Sequence, residues 1–238
     1  MINKIKSVKK YIFPPSCPLC KDIVDVDDEY VCKFCRPLIP YLSAPFCFRC
    51  GKELKDEAAE YCKDCTDNER SYVKGFPAMN YVEPIKTALM DFKYHNKRYY
   101  SDFFAYEIIK THGEEIKSLN FDAIVPIPVH SKKVKQRGYN QAKVLAECIS
   151  DYINVPVDDE LLLRNSNTLP QKFLSDEERL NNLKMAFSYS QKSVKYNKVL
   201  LVDDIYTTGA TIEACTRILR EAGIDDIYYA SVCIGKGD

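Results

Sequence analysis

Two rhythms of apolar and polar positions divide the chain. Up to about residue 70, apolar residues come in short groups broken by prolines and paired cysteines. Beyond it they come in longer runs whose spacing alternates between the two-residue period of strands and the 3.6-residue period of helices. The stretch 66–71 is polar and charged and carries neither period, which predicts two parts, 1–70 and 71–238. In the second part, 78–83 is a strand candidate and 84–92 a helix candidate with Pro84 near its first turn. A helix is predicted over 103–110, anchored by Phe103, Phe104 and Ile108, and a buried strand over 121–127. Residues 139–152 place Ala142, Leu145, Ala146 and Ile149 on one helical face. Residues 175–183 open on Ser175-x-x-Glu178, a capping-box pattern. The apolar run 199–202 suits a central parallel strand. A helix follows over 211–222, with Ile212, Cys215, Ile218, Leu219 and Ala222 inward and Gly223 as its stop, then a last strand over 227–234. This alternation predicts an α/β fold: a central, mostly parallel sheet flanked by helices, with ligands at the carboxyl ends of its strands.

Composition narrows the function classes. At 46% hydrophobic and 29% charged, the 238 residues have the make-up of a globular protein. A formal net charge of zero excludes a whole-chain basic field for nucleic acid and leaves only a local basic cluster around 132–143. No apolar run approaches the length of a membrane span. Lys4, Lys6, Lys9 and Lys10 resemble the start of a secretory signal, but prolines and two cysteines occupy 11–20 where the apolar core of a signal would be. The expectation is a cytoplasmic protein.

Of the 11 cysteines, eight lie in C-x-x-C pairs between Cys17 and Cys65. Cys17, Cys20, Cys32 and Cys35 recur thirty positions later as Cys47, Cys50, Cys62 and Cys65, each set spaced C-x2-C-x11-C-x2-C behind a proline, Pro15 or Pro45. A fixed period implies two copies of one small unit. One C-x-x-C pair chelates an ion from a tight turn and a second completes a tetrahedral four-thiolate site, so two structural Zn²⁺ ions are expected. Disulfides and an iron–sulfur cluster are the other uses of such thiols. The repeat suggests sequential pairing of the cysteines, with interleaved pairing the alternative. So small a segment has little core of its own, and metal would hold it together. Phe46, Phe48 and Arg49 beside one knuckle either face a partner or pack on the second part. Cys148, Cys215 and Cys233 sit singly in apolar patterns and read as small buried hydrophobes.

The most informative stretch runs from Val199 to Thr211: a buried strand, the acids Asp203 and Asp204, then Thr207-Thr-Gly-Ala-Thr211 opening a helix. Such a turn offers free amides at the positive end of a helix dipole, which suits a phosphate, and Gly209 lets backbone come close to it. Paired acids would repel that phosphate, so they must face something else, such as sugar hydroxyls or a cation. The stretch resembles the motif by which type I phosphoribosyltransferases bind 5-phosphoribosyl-1-pyrophosphate (PRPP). The resemblance implies a type I phosphoribosyltransferase fold. It also implies that the site acids Asp203 and Asp204 grip the ribose 2′- and 3′-hydroxyls, while Thr207, Thr208, Gly209, Ala210 and Thr211 cradle the 5′-phosphate.

Further pieces resemble the ComF/ComFC (GntX-like) family of competence-associated proteins, which joins an N-terminal zinc ribbon to a phosphoribosyltransferase domain. They are Val125-Pro-Ile-Pro128, Arg137-Gly-Tyr-Asn-Gln141, Thr168-Leu-Pro-Gln171, Leu174-Ser175, Glu178-Arg179, Asn182 and Phe187, in order. Residues 128–138 read as a basic loop at a strand's carboxyl end. The resemblance implies that it is the pyrophosphate loop, with Lys132, Lys133 and Arg137 as contacts and Mg²⁺ bridging pyrophosphate and ribose. Residues 164–179 read as a flexible loop with Gln171 and Arg179 as candidate contacts. Lys93-Tyr94 matches a family pair, but His95-Asn96-Lys97 departs from its continuation, and no role is assigned. No dedicated general base is identifiable: His130 lies in the basic loop, where a lone exposed histidine is more often incidental than a base. Three functions follow as expectations. They are a transferase moving ribose 5-phosphate to an unknown acceptor, a PRPP- or nucleotide-binding component without turnover, and a nucleotide-salvage enzyme. The family implies work in natural transformation, at the inner face of the membrane, with single-stranded DNA or a helicase-like partner.

Overall fold

The computed structural model describes residues 15–25, 28–165, 186–190 and 196–235. The first 70 residues hold two knuckle pairs built alike. In the first, Cys17 N donates to Asp22 O at 2.7 Å and Lys21 N to Cys17 O at 2.9 Å; in the second, Cys47 N donates to Lys52 O at 2.8 Å and Gly51 N to Cys47 O at 2.9 Å. The tight turn needs a left-handed residue, which is Gly51 (φ 73°) in one copy and Lys21 (φ 71°) in the other. A 3₁₀ turn, Arg36–Leu38, follows Cys35, and a short helix, α1 (Lys63–Asp67), starts after Cys62 and carries Cys65.

The larger part is a parallel sheet between two layers. Strands β1 (Gly75–Asn80), β2 (Ala123–Pro126), β5 (Lys198–Tyr206) and β6 (Asp226–Ile234) lie in the order β1-β6-β5-β2, all pairs parallel. A parallel bridge from Ile124 to Val157 continues the sheet beyond β2. Strands β3 (Leu162–Arg164) and β4 (Phe187–Tyr189) make a small antiparallel pair. Side chains of a strand alternate faces, and the two apolar clusters follow that period. Ile124, Leu200, Val202, Ala230 and Val232 pack with helices α2 (Ile85–Tyr94), α3 (Tyr100–Ser118) and α5 (Gln141–Ile153). Ala123, Val125, Val199, Leu201 and Ile227 pack with α6 (Ala210–Glu221). Cover on both faces is why β5 reads as an unbroken apolar run.

The same clusters place the ribbons. Cys17, Val24, Val31, Cys32 and Cys35 belong to the first cluster, and Cys47, Cys50 and Cys62 to the second, so the two ribbons sit on opposite faces. Their linker crosses the sheet at edge strand β1, where Tyr41 bridges Met79 and Asn80 N donates to Pro40 O at 2.8 Å. The edge is thereby covered rather than left open for pairing.

Three expectations need correction. Residues 128–138 are not all loop: Ser131–Arg137 is helix α4, because His130 Nδ1 accepts from Lys132 N at 3.1 Å, Gly138 (φ 85°) closes the end, and Lys, Gln and Arg are good helix formers. Strand β1 starts at Gly75 and ends at Asn80, because Gly75 and Phe76 pair with Tyr229 and Ala230. Helix α3 is 19 residues long, since Ile116 continues the buried face past the interruption at 111–113. Arg164 ends strand β3; the predicted helix over 175–183 and the rest of the predicted flexible loop, with Gln171 and Arg179, lie outside the described residues. Cys215 and Cys233 are fully buried and Cys148 half-buried.

Candidate functional site

Strand β5 carries its acids to the carboxyl end of the sheet, as the sequence leads one to expect. Asp203 and Asp204 are its sixth and seventh residues, and Asp204 N donates to Asp203 Oδ1 at 2.8 Å. Burial, reinforced by the charge of Asp204, pushes the Asp203 carboxyl up to about 7. Asp204 is held differently: Lys93 Nζ lies 2.8 Å from its Oδ2, and both side chains are largely buried. Lys93 is a site residue that the sequence reading left without a role. It stands near the end of α2, far along the chain, and only the fold brings it to β5.

The turn after β5 has the geometry its composition suggests. Gly209 caps α6 in the left-handed region (φ 76°) and has no side chain to cap it; of the first amides, Ala210 N makes only a long bond, 3.4 Å, to the Thr208 hydroxyl. A Cβ at Gly209 would overlap the hydroxyl of Tyr206. Thr207 and Thr208 are exposed, Gly209 is buried, and Ala210 and Thr211 are half-buried.

A cavity of about 170 Å³ opens at this strand end. It is lined by Asp203, Asp204 and Thr211 together with Lys93, Lys133, Arg137 and Arg164. Four cations against two carboxylates make it suited to a ligand with several negative charges. Lys132 is exposed and does not line it. Arg137 is held by neighbours: its Nη1 donates to Gln141 Oε1 at 2.8 Å, its Nη2 to Tyr94 Oη at 2.8 Å, and its guanidinium lies 4.6 Å from the Tyr94 ring centre. The rest of the 137–141 motif is scaffolding. Gly138 closes α4, buried Tyr139 donates to Phe92 O, and Asn140 caps α5 while donating to Ile127 O at 3.1 Å. Arg164 was not foreseen. Its guanidinium stands 4.7 Å from the Phe187 ring centre, and its buried Nε has no partner among the described residues. His130 is a helix cap and not part of the cavity lining.

The cysteine sets converge separately. The ligand atoms of Cys17, Cys20, Cys32 and Cys35, and those of Cys47, Cys50, Cys62 and Cys65, lie within 4.8 Å of one another in each set. The sulfurs of Cys20 and Cys32 are 3.7 Å apart and those of Cys50 and Cys62 3.6 Å. Zinc–sulfur bonds of about 2.3 Å in a tetrahedron give an edge of about 3.8 Å, so the donor sets fit zinc, paired sequentially. Arg49 packs on the second part, while Phe46 and Phe48 stay exposed, Phe48 edge-on to Tyr61. Among the described residues no helix is long and apolar enough to cross a membrane.

Fold and site together define a double-zinc-ribbon α/β protein whose central strand ends in paired acids beside a basic-walled cavity. Residues 8–66 match the family described as the double zinc ribbon domain. The chain is 30% identical over 220 residues to competence protein F of Haemophilus influenzae, covering 89% of this chain and 93% of that one. It is 28% identical over 203 residues to competence protein ComFC of Bacillus subtilis (82% and 80%), and 23% identical over 223 residues to the DNA utilization protein YhgH of Escherichia coli K12 (92% and 97%). The chain belongs to the competence protein F (ComF/ComFC) family.

Proposed function

We propose that this chain is a phosphoribosyltransferase-family protein that binds PRPP at the carboxyl end of β5 and acts in competence-associated DNA uptake. One observation carries the binding reading: Asp203 and Asp204 stand side by side at a strand end, next to a glycine-opened helix start, inside a cavity walled by Lys93, Lys133, Arg137 and Arg164. In this reading the two carboxylates accept from the ribose hydroxyls, and the amides and hydroxyls of 207–211 hold the 5′-phosphate. Lys133, Arg137 and Arg164 face the pyrophosphate and Lys132 stays at the rim; Gln171 and Arg179, outside the described residues, are further candidate contacts. Lys93 holds the Asp204 carboxylate in place before the sugar arrives. Mg²⁺ carried in with PRPP, beside Asp203 and Asp204, would supply positive charge against that of the pyrophosphate. The DNA role rests on what the relatives are named for, competence and DNA utilization. The exposed Phe46 and Phe48 are the proposed contacts for single-stranded DNA or a helicase-like partner.

Calorimetric titration with Mg²⁺ and PRPP tests the site. Asp203→Ala with Asp204→Ala is expected to abolish binding while the circular-dichroism spectrum is kept; unchanged affinity would end the assignment. Pyrophosphate release on adding candidate acceptors then separates a transferase from a binding component. Elemental analysis is expected to find about two zinc ions per chain, one for each four-thiolate set.

A further inference from the structure

The two cysteine sites are copies of one repeat, yet they are fastened to different things. The first ribbon meets helices α2, α3 and α5: Lys21 Nζ lies 2.9 Å from Asp91 Oδ2, Tyr30 Oη 3.0 Å from Tyr152 Oη, and the Tyr30 ring 5.2 Å from that of Tyr106. The second ribbon meets the back of the 207–211 turn. Arg49, between Cys47 and Cys50, donates from Nη1 to the carbonyls of Arg70 (3.1 Å) and Tyr72 (2.8 Å). Arg70 donates from Nη2 to Thr208 O at 3.0 Å. Ser71 gives its N–H and its hydroxyl to the Glu213 carboxylate, 2.8 and 2.7 Å away, in the first turn of α6. Behind these contacts, Tyr229 donates to Cys50 O at 2.8 Å and stacks on Tyr206, whose hydroxyl pairs with that of Tyr72 at 2.8 Å.

We propose that the segment 69–73, fastened by Arg49 to the second ribbon, braces the 207–211 turn, and that Arg70 is its positioning residue. The link is the planar trans peptide, in which C=O and the following N–H point in opposite directions. Drawing the Thr208 carbonyl towards Arg70 turns the Gly209 N–H to the other side, where the proposed phosphate sits. Fixing one carbonyl therefore presets one anion-binding amide. The state of the second metal site is read out at the turn, and that of the first is not. The consequence for PRPP rests on the binding reading above; the brace itself does not.

Hydrogen exchange of the first bonded amides behind the turn, beginning with Glu213 N, which donates to Gly209 O at 2.8 Å, tests the brace in the full chain without ligand. Arg70→Ala removes a charge-assisted bond, and exchange there is expected to quicken about tenfold, with zinc content unchanged. Arg49→Ala should do the same at a distance, and Arg70→Lys should restore part of the protection because an ammonium still reaches a carbonyl. Cys65→Ser should loosen the turn where Cys20→Ser does not. If either of these unfolds the chain, Arg49→Ala decides, since it leaves every zinc ligand in place. Unchanged exchange in both Arg70→Ala and Arg49→Ala overturns the proposal. In the ligand arm, Arg70→Ala is expected to weaken PRPP about tenfold by the same loss. Failure of the unaltered protein to bind PRPP would sink the binding reading alone, because the exchange arm uses no ligand.

Discussion

Asp203 sits where burial and a neighbouring acid both oppose ionisation, and its carboxyl is held up to about 7. In the unfolded chain it returns to the ordinary carboxylate range. Between those values the native state holds the extra proton, so stability falls as pH rises towards 7 and the penalty stays above it. Asp203→Asn keeps the shape without the charge. It is expected to be more stable than the unaltered protein at pH 8, by on the order of 1–2 kcal/mol given the partial exposure of the site, and about equal near pH 4. Urea midpoints at the two pH values measure this, and a gain that is the same at both refutes it. PRPP binding should run the other way, strengthening from pH 6 to pH 8 as the carboxylate forms. Gly209→Ala belongs to the same scale. A left-handed φ of 76° and the Tyr206 hydroxyl both stand against a Cβ there, so a loss of about 2–3 kcal/mol is expected in denaturant titration.

At the scale of elements, what was legible in the sequence was whatever a local pattern dictates. The run 199–202 had to be a central strand because only apolar residues survive cover on both faces, and the repeat of the cysteines announced the ribbons. The acids and the glycine turn were legible because their chemistry lies in nine successive residues, 203–211. Lys93 and Arg164 were not, because their importance lies in which strand end they meet. Helix α4 was missed because it has no apolar face to reveal it: none of its residues is buried, and it stands on its caps. That account is testable. His130→Ala removes the Nδ1 acceptor for Lys132 N and is expected to cost the helix about 1 kcal/mol, seen as faster exchange at 132–134. His130→Asn supplies another good cap and should restore protection; equal loss in both variants would mean that the helix is held by something else.

For the molecule as a whole, the ribbons are less an appendage than a clasp. Cys17, Val31, Cys32, Cys35 and Ile39 share one apolar cluster with Phe76, Phe92 and Phe104, while Cys47, Cys50 and Cys62 share the other with Tyr72, Val199 and Tyr229. The chain closes round edge strand β1, with Ile39 packed on one face and Leu42 on the other. A fully buried Val or Ile side chain is worth about 1.5–3 kcal/mol. Val24, Val31 and Ile39 in the first cluster are therefore a large part of the roughly 5–15 kcal/mol by which a domain is stable, and Cys47, Cys50 and Cys62 tie the second cluster to a metal site. Losing the metals should not melt the first 70 residues and leave the sheet untouched. Stripping zinc with a strong chelator is expected to give one cooperative unfolding transition at a lower temperature, followed by circular dichroism for the sheet and by the fluorescence of the 17 tyrosines, Tyr72, Tyr206 and Tyr229 among them. The two signals should move together, because Tyr72, Tyr206 and Tyr229 connect Cys50 to the sheet. Two well-separated transitions, the second at the temperature of the metal-bound protein, would show that 71–238 stands without its clasp.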